Sequence, residues 1–297
     1  MGRKLFVTTV FIDGAHGTTG LEIHERLADR ADLTLVTLPA ERRRDPAARA
    51  EALNDADIAV LCLPDDAALN AVALIRSDTK VIDASSAHRV APGWTYGLPE
   101  LTGRDAIAAS SRVSNPGCYP TGFLLLVAPL VEAGLIPRDA RLSVNAVSGY
   151  SGGGKALIER FAAEPTLAWR GYATGNDHKH LAEMRVHAGL EHAPLFSPAV
   201  VRAFRGMMVE VPLPDIDAAA ARATLETRYS NEPGVALAGP ADELLLHEGA
   251  QGHDAVTLHL FPTPDGRAAR AVALLDNLGK GAAGAAVGNL GLMVGSP

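Results

Sequence analysis

Cysteine is scarce: two residues in a chain of 297, too few for a disulfide framework and in keeping with a reducing compartment. Excess positive charge is also missing. Lys and Arg number 27 against 34 Asp and Glu, for a formal charge of −7, which argues against a nucleic-acid or membrane-surface binder, since both need a basic face. No apolar run approaches the roughly 20 residues that cross a bilayer. The start, residues 1–12, resembles a signal peptide only superficially. Asp13-Gly14-Ala15-His16-Gly17 follows at once, where a small-residue cleavage site belongs. The stretch 123–136 is broken by Pro129 and Glu132. Internal repeats and low-complexity linkers are lacking as well. A soluble cytoplasmic protein is expected, of one large or two moderate domains, with a core that needs neither disulfide nor metal.

The first third alternates strand and helix patterns. Strands are expected at 7–12, 33–38, 58–63 and from Lys80 to Asp83, and helices at 21–29, 47–53 and 67–75. The run Ile-Ala-Val-Leu-Cys-Leu at 58–63 is continuously apolar, as in a strand covered on both faces. Such alternation builds a parallel sheet flanked by helices. Composition then shifts toward turns. Strand-like pieces at 142–147, 207–211 and 256–260 are separated by long segments, as in an α+β domain on a mainly antiparallel sheet. The Gly/Ala-rich segment 279–294 reads as a tightly packing helix that returns to the first domain.

Gly14-Ala15-His16-Gly17-Thr18-Thr19-Gly20 sits between the first strand and the first helix. Missing side chains there let backbone approach a pyrophosphate, and a helix N-terminus favours its negative charge. The second strand ends without the Asp or Glu that binds the ribose hydroxyls of NAD. Arg42, Arg43 and Arg44 follow instead, which favours the extra phosphate of NADP. Cys118 lies in Ser114-Asn115-Pro116-Gly117-Cys118-Tyr119-Pro120, just ahead of an apolar helical stretch, with Pro120 suited to a first turn. A thiol at that place is favoured as thiolate and reads as a nucleophile, whereas Cys62, within an apolar strand, reads as structural. The imidazole partner is sought in Asp177-His178-Lys179-His180. His180 is the first choice as acid or base, with His178 close behind. A metal site there is the rival reading, but the further ligands are scattered and no metal is expected. Ser148-Gly149-Tyr150-Ser151-Gly152-Gly153-Gly154-Lys155 follows another strand and reads as an anion-holding substrate loop, without the spacing of an NTPase P-loop.

Seven segments together carry a resemblance. They are the glycine turn, Asp83-Ala84-Ser85-Ser86-Ala87-His88-Arg89, Trp94-Thr95-Tyr96-Gly97-Leu98-Pro99-Glu100, the Cys118 motif, the loop from Ser148 to Lys155, the His178 motif through Glu183, and Asp276-Asn277-Leu278-Gly279-Lys280-Gly281. Across essentially its whole length the chain resembles the shorter N-acetyl-gamma-glutamyl-phosphate reductases. Aspartate-semialdehyde dehydrogenases and, more distantly, glyceraldehyde-3-phosphate dehydrogenase are their relatives. The resemblance implies a Rossmann-type NADP(H)-binding domain, residues 1–117 with the last helix 278–297, and a catalytic domain, 118–277. It implies reduction of a small acyl phosphate in arginine biosynthesis, through a thioester on Cys118, by a homo-oligomer. Carried over by position, Gly14, Gly17, Thr18, Thr19, Gly20, Arg42, Arg43, Ser85 and Asn277 hold the cofactor. Arg89, Asn115, Ser148, Gly149, Ser151 and Lys155 hold the substrate. Ala182 stands where the family often has proline, which removes no chemical group. Other readings are a related acyl-phosphate reductase acting on aspartyl or acetylaminoadipyl phosphate, a dinucleotide-binding regulator without catalysis, and a cofactor-free thiol hydrolase. The last leaves the glycine turn and the arginines unexplained.

Overall fold

The computed structural model describes residues 7–76, 78–245 and 254–295. They form two compact units, one ending at Pro116 and resuming at Ala282, the other running from Gly117 to Gly281.

In the first unit β1 (Thr8–Asp13), α1 (Thr18–Leu27), β2 (Leu33–Val36), α2 (Pro46–Asp55), β3 (Ile58–Leu61), α3 (Asp65–Leu74) and β4 (Lys80–Asp83) alternate as the hydrophobic pattern predicts. The short elements β5 (Thr95–Tyr96), α4 (Pro99–Thr102), α5 (Arg104–Ala108) and β6 (Arg112–Ser114) follow. The strands pair in parallel in the order β2-β1-β3-β4-β6-β5. All four residues of β3 are buried, the mark of a strand covered on both faces. Helix α2 starts where it does because the Asp45 carboxylate accepts from Ala47 N at 2.9 Å and Pro46 fits the first turn. On one face of the sheet Phe11, Leu61 and Val81 pack with Leu53 and Ala71 of α2 and α3. On the other, Val10, Ile12, Ile58 and Ile82 pack with Ile23 and Leu27 of α1 and with α10 (Gly284–Val294). Helix α10 follows a π-helical turn and places Ala286, Leu290 and Met293 on that core. Burying a side chain such as Leu290 is worth about 1.5–3 kcal/mol.

The second unit begins with α6 (Cys118–Glu132). Next come β7 (Ser143–Gly149), a 3-10 turn, α7 (Gly154–Ala163), β8 (Trp169–Gly171), α8 (Leu181–His187), β9 (Leu195–Val201) and β10 (Met207–Leu213). The chain continues through α9 (Ala218–Tyr229), β11 (Val235–Leu237), β12 (Val256–Pro262) and β13 (Ala269–Leu275). The sheet order is β11-β12-β13-β10-β7-β9-β8. It is antiparallel except for β11–β12 and β7–β9, the mainly antiparallel sheet expected.

Helix α6 lies on this sheet, with Gly122 facing Val209 of β10 and Ala273 of β13. It runs on through Pro129, which the sequence reads as an interruption. Proline takes away the donor that the carbonyl of Leu125 needs four residues earlier. The hydroxyl of Tyr229 in α9 supplies one, at 2.7 Å, so the helix keeps its carbonyl satisfied across the proline.

Candidate active site

In the first unit the glycine turn leaves the C-terminal end of β1 at Gly14, whose φ is +88°. A Cβ there would strike the backbone carbonyl of Cys62, and one on Gly20 would come within 2.8 Å of the Ala15 Cα. Gly17 precedes the first turn of α1, which begins with Thr18, Thr19 and Gly20. The turn therefore brings bare backbone to the start of a helix at the C-terminal edge of a parallel sheet, a cradle suited to a pyrophosphate. Asp13, just before it, is held by Arg49 of α2 at 2.7 Å. Arg42 and Arg43 are exposed in the turn that folds back on Pro39, and Arg42 lies 3.7 Å from Glu51.

After β4, Ser85 is buried and donates to Asp83, whose carboxylate also meets His88 Nδ1 at 2.6 Å. The ring of His88 stacks on Trp94 at 4.0 Å. Arg89 is buried as well; its guanidinium donates to the carbonyls of Asn115 and Ala84. Asn115 is 1% exposed, donating to Ala282 O and accepting from Asn289. These residues form one buried network under the loop that follows β4.

In the second unit Cys118 is the first residue of α6, after Gly117, the place expected for a thiol favoured as thiolate. The N–H of Gly117 donates to Glu183 at 2.8 Å. Glu183 is 1% exposed and lies one turn after His180, on the same side of α8. A buried charge-assisted bond thus ties the helix that follows the histidines to the start of the helix that carries the sulfur. His178 and His180 come together, ring centroids 4.5 Å apart, and Tyr119 lies 6.0 and 5.9 Å from them. The hydroxyl of Tyr172 donates to that of Tyr119. Burial pushes both phenols upward, Tyr172 to about 12, with the Cys118 charge adding to each shift, so both stay protonated at neutral pH.

The loop from Ser148 to Lys155 is only partly gathered. Asn277, 1% exposed, donates to Ser151 Oγ at 2.9 Å and accepts from Gly206 N at 2.8 Å. Ser148 is buried beside Gly149, and a Cβ on Gly149 would lie 2.6 Å from the Phe204 carbonyl. Lys155, by contrast, is exposed on α7. Sequence reasoning missed two groups. Glu183 falls inside a quoted motif but receives no role, and Arg205 is not singled out at all. Arg205 meets Asp276 through Nε and a terminal nitrogen at 3.1 and 2.8 Å, next to Asn277 and Gly206. The adjacency of Asp276 to Asn277 is the only local sign of that pair.

The two cysteines are chemically distinct. Burial pushes the Cys62 thiol up to about 12, with the carboxylates of Asp83 and Asp13 adding to the shift. Iodoacetamide at neutral pH is therefore expected to alkylate Cys118 and spare Cys62, as read by peptide mass. Equal labelling of both would contradict that contrast.

Residues 9–110 match the family described as "Semialdehyde dehydrogenase, NAD binding domain", and residues 118–277 the family described as "Semialdehyde dehydrogenase, dimerisation domain". The chain is 48% identical to N-acetyl-gamma-glutamyl-phosphate reductase 2 of Pseudomonas putida, over 97% of each chain. It is 44% identical to the N-acetyl-gamma-glutamyl-phosphate reductase of Trichormus variabilis, again over 97% of each. Its fold is that of aspartate semialdehyde dehydrogenase II from Vibrio cholerae, with a TM-score of 0.73 at 20% identity, covering 97% of this chain and 98% of that one. With a nucleotide cradle in one unit and, in the other, a thiol at a helix start that is tied through Gly117 and Glu183 to the segment of paired imidazoles, the chain belongs to the N-acetyl-gamma-glutamyl-phosphate reductase family of the semialdehyde dehydrogenases.

Proposed function

We infer that this chain reduces N-acetyl-gamma-glutamyl phosphate to N-acetylglutamate semialdehyde and phosphate, with NADPH, in arginine biosynthesis. The observation that carries the reading is Cys118 at the first position of α6, joined through Gly117 and Glu183 to the histidine segment. The Cys118 sulfur attacks the acyl carbon, the bond to phosphate breaks, and a thioester remains on the chain. An imidazole of the 178/180 pair moves the proton. Bound reduced nicotinamide supplies the hydride that takes the thioester to the aldehyde level.

The bare backbone of Gly14, Gly17 and Gly20 fits a dinucleotide, with Thr18 and Thr19 in the first turn of α1 and Ser85 just after the C-terminal end of β4 as further cofactor contacts. Arg42 and Arg43 are the cations for an extra ribose phosphate, which supports NADP over NAD. Ser148, Gly149 and Ser151 are the substrate loop, scaffolded by Asn277. Arg89 and Asn115 act from the buried network after β4, where their bonds shape the loop, and Lys155 is the outlying cation of the set.

The chain is further proposed to act in the cytoplasm as a homo-oligomer. Among the described residues no helix is long and apolar enough to cross a membrane. The face of the second sheet opposite α6 supports the assembly. Val147, Met208, Leu274 and Thr257 form one row across it, and Glu210, Val272 and His259 the next. Several of these apolar side chains are only half-buried in the single chain.

The test runs the reaction backwards. Phosphate-dependent reduction of NADP is measured with N-acetylglutamate semialdehyde and with aspartate semialdehyde, and repeated with NAD. The acetylated substrate is expected to give a kcat/KM higher by about 10²-fold or more, since an acetamido site left unfilled loses its hydrogen bonds. Preference for aspartate semialdehyde would transfer the reading to the related acyl-phosphate reductase, and equal use of NAD would remove the role given to Arg42 and Arg43.

A further inference from the structure

Arg170 lies on β8, the edge strand of the second sheet. Its register pairs it with Val200 of β9, Val200 with Ser148 of β7, and Ser148 with Met207 of β10. Residues in such a row share one face of the sheet. That face is the one α6 covers, because Val209, two residues after Met207, meets Gly122 of the helix. Arg170 therefore stands on the side of the sulfur-bearing helix, two strands or about 10 Å from Ser148 of the substrate loop.

The guanidinium carbon lies 4.6 Å over the centre of the Tyr172 ring. That ring is 5.5 Å from the ring of His178, and its hydroxyl donates to the hydroxyl of Tyr119, the residue after Cys118. Burial pushes the Tyr172 phenol up to about 12; the Cys118 charge adds to the rise and Arg170 opposes it. The phenol thus feels the sulfur anion and the fixed cation together.

Other cations of this unit are spoken for or remote. Arg202 donates to the carbonyls of Phe161, Glu164 and Leu167, Arg205 grips Asp276, and Lys155 is exposed on α7. Arg170 is half-buried, and among the described residues no carboxylate lies within ion-pair distance of it. Stacking on Tyr172 occupies the face of the guanidinium and fixes its plane. The N–H edges stay open to a planar anion, for which their fork is shaped.

We propose that Arg170 binds the carboxylate of the substrate that does not react. The assignment rests on the thiol chemistry proposed above and adds the substrate class to it: acyl phosphates with a second carboxylate four carbon–carbon bonds from the reacting carbon. Extended, those bonds span roughly 5 Å, so one end of the molecule can meet the sulfur while the other meets the fork beyond Tyr172. The leaving phosphate is bonded to the reacting carbon and stays at the sulfur end. Two parallel N–H···O bonds then fix the chain's direction across the phenols.

The test deletes the charge on each side. The reverse reaction is run with N-acetylglutamate semialdehyde and with 4-acetamidobutanal, the same aldehyde without its carboxylate, on the unaltered chain and on Arg170→Gln. The preference in kcat/KM for the acidic aldehyde is expected to fall about 10²-fold in Arg170→Gln, mostly through KM, with the KM for phosphate unchanged. Arg170→Lys, which keeps the charge and loses the fork, should recover part of it. A loss that strikes both aldehydes alike, or one that appears in the KM for phosphate, overturns the assignment. A second measurement needs no turnover. N-acetylglutamate is expected to slow iodoacetamide alkylation of Cys118 in the unaltered chain and to lose that protection in Arg170→Gln, while 4-acetamidobutanoate does not distinguish the two. Protection by N-acetylglutamate that is absent from the unaltered chain, or equal in both chains, overturns the assignment. Cys118→Ser, assayed in parallel, separates the two layers: retained turnover there refutes the thiol reading, whereas an inactive Cys118→Ser with an unchanged preference in Arg170→Gln refutes only the role of Arg170.

Discussion

Cys118→Ser is expected to lower turnover by at least about 10³-fold in either direction. Serine is nearly isosteric and is well tolerated at the start of a helix, so α6 and its bond from Gly117 to Glu183 should persist. What changes is the nucleophile. A hydroxyl is far less acidic than a thiol, and a helix N-terminus does not close that gap, so little alkoxide exists at neutral pH. Cofactor affinity should be preserved, because the glycine cradle belongs to the other unit. The decisive pair of measurements is phosphate-dependent turnover and NADP binding by fluorescence titration. Turnover near the normal rate would dispose of the covalent route. Loss of NADP binding along with turnover would mean that the substitution had damaged the fold.

Gly14→Ala should have an effect of comparable size through a different cause. At φ +88° an L side chain is strained, and the added Cβ collides with backbone, the carbonyl of Cys62, which cannot rotate away. Strain and displacement together are expected to destabilise the first unit by about 3 kcal/mol or more. NADP binding should be lost with it. Thermal unfolding would show an early transition, while iodoacetamide labelling of Cys118 below that transition should continue. An unchanged Tm with full NADP affinity would show that the turn can relax, contrary to the close approach of β1 and β3.

Four strands of the first sheet, β1 to β4, were legible because they are short apolar runs bounded by turn residues with helices alternating between them, whereas β5 and β6, of two and three residues, lie in a stretch whose composition reads as turns. The second sheet was legible only in part. Residues 142–147, 207–211 and 256–260 show their pattern, but β9 and β13 do not. Ala-Arg-Ala-Val-Ala-Leu-Leu at β13 has the alanine content of a helix and becomes a strand because β10 and β12 pair with it on both sides. Pro198 argues locally against a strand at β9. It is accommodated because its carbonyl, and with it the missing N–H, faces the side of β8, beyond the last paired residue, where Tyr172 N reaches that carbonyl.

The site divides in the same way. Cys118 could be singled out from its glycine and proline neighbours, since those fix the helix start locally. The pairing of the two imidazoles follows from their spacing once the segment is a turn rather than a strand or helix. Glu183 and Arg205 could not be assigned partners, because the N–H of Gly117 and the carboxylate of Asp276 lie 66 and 71 residues away in the chain. Such bonds are consequences of the fold and leave no periodic trace.

Helix α10 comes after the whole of the thiol-bearing unit in the chain, yet it covers a face of a sheet that is made before that unit. A nascent chain complete to Gly281 holds every residue of the thiol-bearing unit, while Val10, Ile12, Ile58 and Ile82 still await Ala286, Leu290 and Met293. During synthesis the earlier-translated unit is therefore the later one to mature, with an apolar surface open to chaperones until α10 arrives.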